Sequence, residues 1–295
     1  MTDQPIYLCG TTASGKTSLA LALAQSKGGE IVNADAFQVY RGLEVLSAAP
    51  TEEERNQCPH HLFGIRDLDE PMDAAKYAVL AEEVIADIQS RGKWPIVVGG
   101  SGLYLKFLTH GIAEAPGCDP DIRAELDALP VEEVLRRLKE LDPEEAARQN
   151  QQNHRHLSRA LEICLITGGK ASDLRKNFAD PEKVASLNGV VLTWPREDLA
   201  ERIARRTAMM LDEGAIEEVA SLPEDALTVR QAIGVKEIEA FLAGDLTREE
   251  CEERITISTR QYAKRQRNWF RRETWLRPVD GKLSVDEQVR QCLEG

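Results

Sequence analysis

The segment with the clearest chemistry is a glycine-rich run near the amino terminus, which reads G-x-x-x-x-G-K-T over residues 10–17. It follows the apolar residues 6–9, a pattern typical of a buried strand. In such a run, backbone N–H groups turn toward phosphate oxygens, Lys16 reaches the terminal phosphates and the Thr17 hydroxyl binds Mg²⁺. The segment predicts a loop for a di- or triphosphate, with an ordinary strand-to-helix turn as the alternative. The predicted diphosphate-binding residues are Gly10, Thr11, Thr12, Ala13, Ser14, Gly15, Lys16 and Thr17.

A single carboxylate, Asp35, follows the second apolar run at residues 30–33. The carboxyl ends of neighbouring parallel strands share one crevice, so Asp35 is expected to face the phosphate loop. Its carboxylate could hold a Mg²⁺-bound water, as in small-molecule kinases, or accept a proton from an incoming nucleophile. A structural carboxylate in a loop or at a helix N-cap is the third interpretation.

A second glycine-rich turn, residues 99–102, follows the apolar run 94–98. Its N–H groups and the Ser101 hydroxyl could form another anion site. A P-loop ATPase typically has an aspartate at the end of such a strand, whereas this chain has Gly99. The difference disfavours a kinase.

A basic segment lies near the carboxyl end, where residues 259–272 contain six cations and no acid. Arg260, Lys264 and Arg267 are spaced by four and three residues, so a helix would place them on one face. This spacing predicts a track for a nucleic-acid phosphate backbone. The alternative is a solvated helix face near a C-terminus, where cations are favoured in any case.

The elements that must position these groups alternate between apolar runs and helical patterns, which indicates a parallel sheet covered by helices. Asp73 is the predicted N-cap of a helix that ends near Gly92, and a capping box at Thr247 opens the long basic helix. Residues 113–187 contain no strand pattern and are rich in helical segments. The predicted fold is α/β, with a P-loop parallel sheet core from residues 1–112 and 188–295 and an all-helical insertion. The predicted strands are residues 5–9, 30–33, 94–98 and 190–194.

Composition sets the general class of the protein. A chain of 295 residues that is 42% hydrophobic can bury one large core or two smaller ones. The net charge of −13 describes the whole chain and does not exclude a local basic face. The six cysteines form no C-x-x-C pair, and the amino terminus has neither a basic region nor a long apolar run. We expect a cytoplasmic monomer with reduced cysteines and no membrane segment.

Taken together and in order, these motifs and several others resemble the tRNA dimethylallyltransferases, also called tRNA isopentenyltransferases, over essentially the whole chain. The matching segments are residues 10–17, 35–38, 59–62 and 99–104, Asp119-Pro120 with Arg123, residues 159–162, Arg230 before Ile233-Gly234, and residues 260–266.

This resemblance implies transfer of a dimethylallyl group from its diphosphate to the exocyclic amine of the adenosine 3′ to the anticodon, giving N6-isopentenyladenosine. Asp35 would accept the amine proton. Lys16, Ser101 and Arg230, with Mg²⁺ on Thr17, would stabilise the diphosphate leaving group. The adenine must be extruded from its stack, and Phe37 could provide an aromatic surface for it.

The resemblance also implies a set of tRNA contacts, some at positions where this chain differs from the family. Ala36 and Ser101 replace a usual serine and threonine, although Ser101 keeps the hydroxyl. Residues 152–156 lack the acid and the final arginine of the usual N-D-x-x-R, and Arg155 is a possible substitute. The implied tRNA-binding residues are Asp35, Ala36, Phe37, Gln38, Ser101, Arg123, Gln152, Asn153, Arg155, His156, Arg260, Lys264 and Arg267.

Two other enzymatic functions stay open at this point. One is transfer of the same group to free adenine nucleotides, a small acceptor for which the helical insertion and basic helix would be unnecessary. The other is a small-molecule kinase that uses ATP, with Asp35 beside the Mg²⁺ ion or the acceptor hydroxyl. A non-catalytic RNA-binding module would leave both the phosphate loop and Asp35 unexplained.

Overall fold

The computed structural model describes residues 4–111, 116–176 and 181–294. The chain forms two compact units. The first contains residues 1–109 and 185–295, and we call it the sheet unit; the second contains residues 110–184, and we call it the helical unit. The predicted insertion covered residues 113–187.

The sheet unit is built on six parallel strands in the order β3-β2-β4-β1-β5-β6, so the predicted α/β class with a parallel sheet is confirmed. In the centre, Leu8 pairs with Val98 on one side and with Val190 on the other. These central strands are covered on both faces, which explains their nearly continuous apolar sequence. The strands are β1 (Ile6–Gly10), β2 (Gly29–Asn33), β3 (His60–His61), β4 (Trp94–Gly99), β5 (Asn188–Thr193) and β6 (Leu276–Asp280).

The two outermost strands, β3 and β6, were not predicted. The strand β3 has only two residues, both histidines, and so gives no apolar pattern. The strand β6 contains Arg277 and Pro278, which weaken its strand pattern but are tolerated because an edge strand pairs on one side only. The sequence signal was therefore clear for central strands and weak for edges.

Helices cover this sheet and begin at side-chain caps where the sequence predicted them. The Asp73 carboxylate accepts a hydrogen bond from the Lys76 N–H at 2.8 Å, and Thr247 and Glu250 form the predicted capping box. Both predicted helix starts are confirmed. The helices of this unit include α1 (Lys16–Lys27), α2 (Glu44–Ser47), α3 (Glu52–Arg55), α4 (Ala74–Ser90), α5 (Gly102–His110), α12 (Arg196–Asp212), α13 (Ala215–Ala220), α14 (Val235–Leu242), α15 (Arg248–Phe270) and α16 (Val285–Leu293), with a 3-10 turn at Val229–Gln231.

The core beneath the phosphate loop is apolar. Leu19 and Leu23 of α1 pack with Leu8 and Ile96 of the central strands, and all four side chains are fully buried. Burying a leucine or isoleucine side chain contributes roughly 1.5–3 kcal/mol. This packing fixes the end of β1 and the start of α1, the two anchors of residues 10–17.

The helical unit has its own core, formed by Val134, Leu138, Leu157 and Leu161 together with smaller side chains. Its described residues contain helices and no strand. The helices are α6 (Pro120–Asp127), α7 (Val131–Leu141), α8 (Pro143–Arg148), α9 (His154–Thr167), α10 (Ala171–Lys176) and α11 (Pro181–Ala185), the last of which ends at the boundary.

Two further expectations concern the whole chain. Within the described ranges, no helix has both the length and the apolar character required to cross a bilayer. All six cysteines are free thiols.

Candidate active site

The phosphate loop connects β1 to α1 and is shaped for an anion. Gly15 is the N-cap of α1 and has a left-handed backbone conformation, with φ 93°. The Lys16 ammonium donates hydrogen bonds to the carbonyls of Gly10 (3.1 Å) and Thr11 (2.9 Å). The N-terminus of a twelve-residue helix adds the positive end of its dipole at the same point.

Two polar groups of the loop are enclosed without a full set of partners. Burial lowers the pKa of Lys16 to about 8, and the negative charge of Asp35 opposes this decrease. The Ser14 hydroxyl is buried and has no hydrogen-bond partner in the described parts of the chain. A buried hydroxyl without a partner costs free energy, and phosphate oxygens would supply the missing acceptors. Both observations fit an anionic ligand at this loop.

A cavity of about 960 Å³ lies against the loop, within the sheet unit. Its lining includes residues 12–18 together with Asp35, Phe37 and Gln38. The segment 44–52 and parts of α12 and α15 complete the lining. The volume is at the upper end of the range for small-molecule sites.

Asp35 is held in the lining of this cavity by a short hydrogen-bond network that begins in β2. The buried Asn33 amide donates to the Leu62 carbonyl (3.0 Å), and its oxygen accepts the Asp35 N–H (2.8 Å). One Asp35 carboxylate oxygen accepts the Phe37 N–H at 3.1 Å. A carboxylate offers about four acceptor positions, so this turn leaves capacity for a ligand. Asp35 therefore has a structural contact and also faces the cavity.

The second glycine-rich turn is tied to the same segment. The Ser101 hydroxyl accepts the Ala36 N–H at 2.9 Å, and the Ser101 N–H donates to the Ala34 carbonyl at 3.3 Å. The Tyr262 hydroxyl interacts with Ser101, while burial and the charge of Asp35 raise the pKa of Tyr262. Ser101 thus positions the residues that flank Asp35.

The glycine at the end of β4 has a packing reason. A Cβ atom at Gly99 would lie 2.1 Å from the Ala34 carbonyl oxygen, and this distance is too short for any side chain. The aspartate typical of ATP-hydrolysing P-loop proteins is therefore sterically excluded at this position.

Two arginines of α12 contact the phosphate loop, and neither was predicted. Arg202 donates from Nε to the Ala13 carbonyl at 2.7 Å, and Arg206 donates to the Thr12 hydroxyl at 3.1 Å. Burial lowers the pKa of Arg206, and Asp35 opposes that decrease. The available sequence signal was two arginines four residues apart on the helix after β5, which starts at the same end of the sheet as the loop.

Gln266 of α15 joins the two glycine-rich segments and was also missed as a site residue. Its side-chain oxygen accepts the Thr12 N–H at 2.8 Å, and its amide donates to the Gly100 carbonyl at 2.9 Å. Gln266 lies within the basic run 259–272, and only the cations of that run were interpreted, as a track for a nucleic-acid phosphate backbone.

Arg230, predicted to stabilise the leaving group, has a local partner in this structure, and that role stays a prediction. Its guanidinium forms an ion pair with Glu239 and donates to the Pro223 carbonyl at 3.0 Å. Among the described residues, Arg230 is not part of the cavity lining, although the adjacent residues 231–233 are. A nearby carboxylate competes for the guanidinium, so Arg206 is better placed for a phosphate.

Comparison with known proteins decides the family. The sequence model described as IPP transferase matches residues 38–273. The chain belongs to this family. It is 40% identical to a tRNA dimethylallyltransferase from Akkermansia muciniphila over 98% of this chain and 99% of that protein.

Solved structures of other IPP transferase family members have the same fold. The tRNA isopentenylpyrophosphate transferase from Bacillus halodurans is 34% identical, with a TM-score of 0.69 over 98% of this chain and 93% of that one. A eukaryotic dimethylallyltransferase, described as acting on tRNA, is 27% identical, with a TM-score of 0.78 over 95% and 74% of the two chains.

Of the residues after Asp35, Phe37 and Gln38 line the cavity, and Gln38 has a structural role. Gln38 donates from its amide to the carbonyls of Ser47 (3.1 Å) and Ala48 (2.8 Å), which fixes the end of α2 in the cavity wall. Phe37 lies in the lining. Contact of Ala36, Phe37 and Gln38 with RNA stays a prediction.

The basic face of α15 is present as the spacing predicted. Arg260, Lys264 and Arg267 are exposed and line a groove of about 300 Å³, together with Arg196 of α12. The groove floor includes apolar side chains such as Leu199. RNA binding by this face of α15 remains a prediction.

The predicted tRNA contacts of the helical unit have local partners. Arg123 forms an ion pair with the buried Glu162 at 2.7 Å, and Asn153 accepts the His156 N–H at 3.2 Å as the N-cap of α9. Arg155 and His156 are exposed, as is Gln152. Arg123 and Asn153 therefore support the fold of their unit, and RNA contact by all five residues stays a prediction.

Proposed function

We propose that this chain is a tRNA dimethylallyltransferase that acts on the adenosine 3′ to the anticodon. One observation carries the proposal: the Asp35 carboxylate and the phosphate loop with Lys16 line a single cavity. The names of relatives at this level of identity support the same activity. The tRNA substrate implies a cytoplasmic enzyme, and we expect it to act as a monomer.

The reaction needs a base for the amine proton and a leaving group that takes the electron pair of the broken bond. The exocyclic amine of adenine attacks the first carbon of the dimethylallyl group, the new C–N bond forms, and the C–O bond to diphosphate breaks. The diphosphate leaves with the electron pair of that bond. Asp35 accepts the proton that the amine loses, which raises the nucleophilicity of a weakly basic amine.

Cations around the loop stabilise the leaving group where its charge develops. Lys16 and Arg206 face the cavity, and the Ser14 hydroxyl is available as a donor. With a pKa of about 8, Lys16 carries its positive charge at pH 7. Donors that are fixed before the reaction stabilise the transition state without reorganisation.

A magnesium ion fits the oxygen donors at this loop. Mg²⁺ typically binds one or two protein oxygens together with substrate phosphates and water. The Thr17 hydroxyl lines the cavity beside Lys16, and across the described residues no group of three or more His, Cys, Asp or Glu side chains forms a metal cage. Thr17 would hold the ion, which would neutralise diphosphate charge when bound.

The acceptor must enter as a single base. Removing adenine from a stacked anticodon loop costs a few kcal/mol, and stacking on an aromatic ring returns about 1–3 kcal/mol. Phe37 lines the same cavity as Asp35, two residues away in sequence. It supplies the stacking surface in this proposal, and Ser101 positions the backbone around Asp35.

The kinase alternative is disfavoured by the packing of Gly99, which leaves no space for an acidic side chain. Transfer to a free nucleotide would leave the exposed cations Arg260, Lys264 and Arg267 without a negatively charged partner. An RNA acceptor accounts for this basic face.

The test is a prenylation assay with dimethylallyl diphosphate and Mg²⁺. We expect transfer to an anticodon stem-loop that has adenosine 3′ to the anticodon, and none to a stem-loop with guanosine at that position. Transfer to AMP at a comparable rate, or release of ADP from ATP while the RNA stays unmodified, would contradict the proposal.

A further inference from the structure

Trp194 follows β5 and contacts the phosphate loop. Its indole N–H donates to the Ser14 carbonyl at 2.9 Å. The Arg202 guanidinium lies over the indole ring, 4.2 Å from its centroid, and donates in turn to the Ala13 carbonyl. One tryptophan therefore orients two consecutive carbonyls of the loop, one directly and one through Arg202.

These contacts determine which way the loop amides point. The C=O and N–H of a trans peptide point in opposite directions, so holding the Ser14 carbonyl on the indole turns the Gly15 N–H away from it. Ala13 has a left-handed conformation, with φ 60°, which is unfavourable for a non-glycine residue. Contacts from outside the loop have to stabilise that conformation, and Trp194 and Arg202 provide them.

The place of Trp194 depends on a glycine far along the chain. A Cβ atom at Gly281 would lie 2.1 Å from the indole nitrogen. Gly281 directly follows β6, and its N–H donates to the Thr193 carbonyl at 2.8 Å. Its contact to the loop is indirect, through the indole, so a substitution there tests Trp194 without changing any loop residue.

We propose that Trp194 is a positioning residue, which with Arg202 holds the phosphate loop in the conformation that binds the diphosphate of the allylic donor. This rests on the proposed function, since the ligand is the donor of that reaction. Loss of the indole contact would weaken donor binding, whereas RNA binding and the chemical step at saturating donor would be unchanged.

The primary variant is Trp194→Phe, which keeps an aromatic ring for Arg202 and removes the N–H donor together with one ring of the indole. One neutral hydrogen bond corresponds to about a fivefold change in affinity. We expect about that increase in the KM for dimethylallyl diphosphate and in the Kd for inorganic pyrophosphate with Mg²⁺, measured by calorimetry. The kcat and the KM for the stem-loop should stay within about twofold.

The matched control is Trp94→Phe. Trp94 also donates from its indole to a backbone carbonyl, that of Gln4 at 2.9 Å, but at the opposite end of the sheet. We expect wild-type donor and RNA constants for this variant. An equal increase in donor KM for both tryptophan variants would overturn the proposal.

Gly281→Ala provides a second, independent route to the same indole. It should reproduce the increase in the KM for dimethylallyl diphosphate and in the Kd for pyrophosphate expected for Trp194→Phe. A thermal unfolding transition should show that the variant is folded. Wild-type pyrophosphate affinity in both variants would overturn the role of Trp194. Wild-type protein that binds pyrophosphate but does not prenylate the stem-loop would overturn the proposed function, and the pyrophosphate affinities of the variants would still decide the role of Trp194.

Discussion

The buried charges of the helical unit are paired within the fold, whereas those beside the phosphate loop of the sheet unit face a cavity. In the helical unit, Asp142, Glu145 and Glu162 are almost fully buried, and each accepts several hydrogen bonds from its own unit. In the sheet unit, Lys16 and Arg206 are partly enclosed beside a cavity, and burial lowers the pKa of both groups. Removing a partner from a fully paired buried charge destabilises a fold, whereas a charge that faces a cavity is available to a ligand.

Glu162 illustrates the structural case. Burial by itself would raise the pKa of Glu162, but hydrogen bonds from Arg159, Arg123 and the Asp119 N–H outweigh it and lower the pKa to about 2. Arg159 also donates to the Pro116 carbonyl. The carboxylate therefore joins α6, α9 and the segment that leads into α6.

The largest expected effect on catalysis is at Asp35. If this carboxylate proves to be purely structural, the contrast between charges that support the fold and charges that face the cavity fails. Asp35→Asn keeps an acceptor for the Phe37 N–H but removes the base, so kcat should decrease by about 10³-fold. Single-turnover prenylation and RNA affinity separate the two roles. A large loss of affinity with an unchanged single-turnover rate would assign Asp35 to binding.

The next effect separates two arginines. Arg206→Ala removes a cation from the cavity wall and should decrease kcat/KM for dimethylallyl diphosphate by about 10²-fold. Arg230→Ala is the control, because its guanidinium is paired with Glu239, and its donor KM should stay within about twofold. The reverse pattern would assign stabilisation of the leaving group to Arg230.

A stability change of about 2 kcal/mol is expected for Glu162→Gln, which loses charge-assisted hydrogen bonds in the helical unit. The pKa of Glu162 is lower in the folded state than in the unfolded state, so its contribution is complete above about pH 5 and disappears as the pH decreases toward 2. Urea unfolding of wild type and variant should therefore converge at acidic pH. The control is Glu140→Gln, because Glu140 is exposed and forms an ion pair with Arg136. This variant should alter the free energy of unfolding by at most about 0.5 kcal/mol.

The smallest effect concerns the exposed groove. Lys264→Ala should weaken stem-loop binding about threefold and reduce the slope of log affinity against log salt by about 1. Lys93→Ala, an exposed cation beside the start of β4, is the control and should leave the slope unchanged. An unchanged slope for Lys264→Ala would indicate that the face of α15 is merely solvated.

Much of this architecture was predictable because its signals are local. The apolar runs of the central strands, the residues of the phosphate loop and the position of Asp35 after β2 depend on neighbours within a few residues. The spacing of Arg260, Lys264 and Arg267 likewise placed them correctly on one face of α15.

The omissions have a different origin. The edge strand β6 has an interrupted apolar pattern, and the loop contacts of Arg202 and Arg206 come from a helix far along the chain. Nothing in local spacing tells which of several arginines meets a free anion and which meets a carboxylate.

The sequence alone determined the kind of chemistry, since a phosphate loop and a carboxylate beyond the next strand follow from residue type and short-range periodicity. The tertiary structure decided which groups surround them. Arg202 and Gln266 reach the loop from 189 and 254 residues away in sequence, and Trp194 from 180. Contacts of that separation form only when helices pack on a twisted sheet, so side-chain packing, rather than any local pattern, selects them.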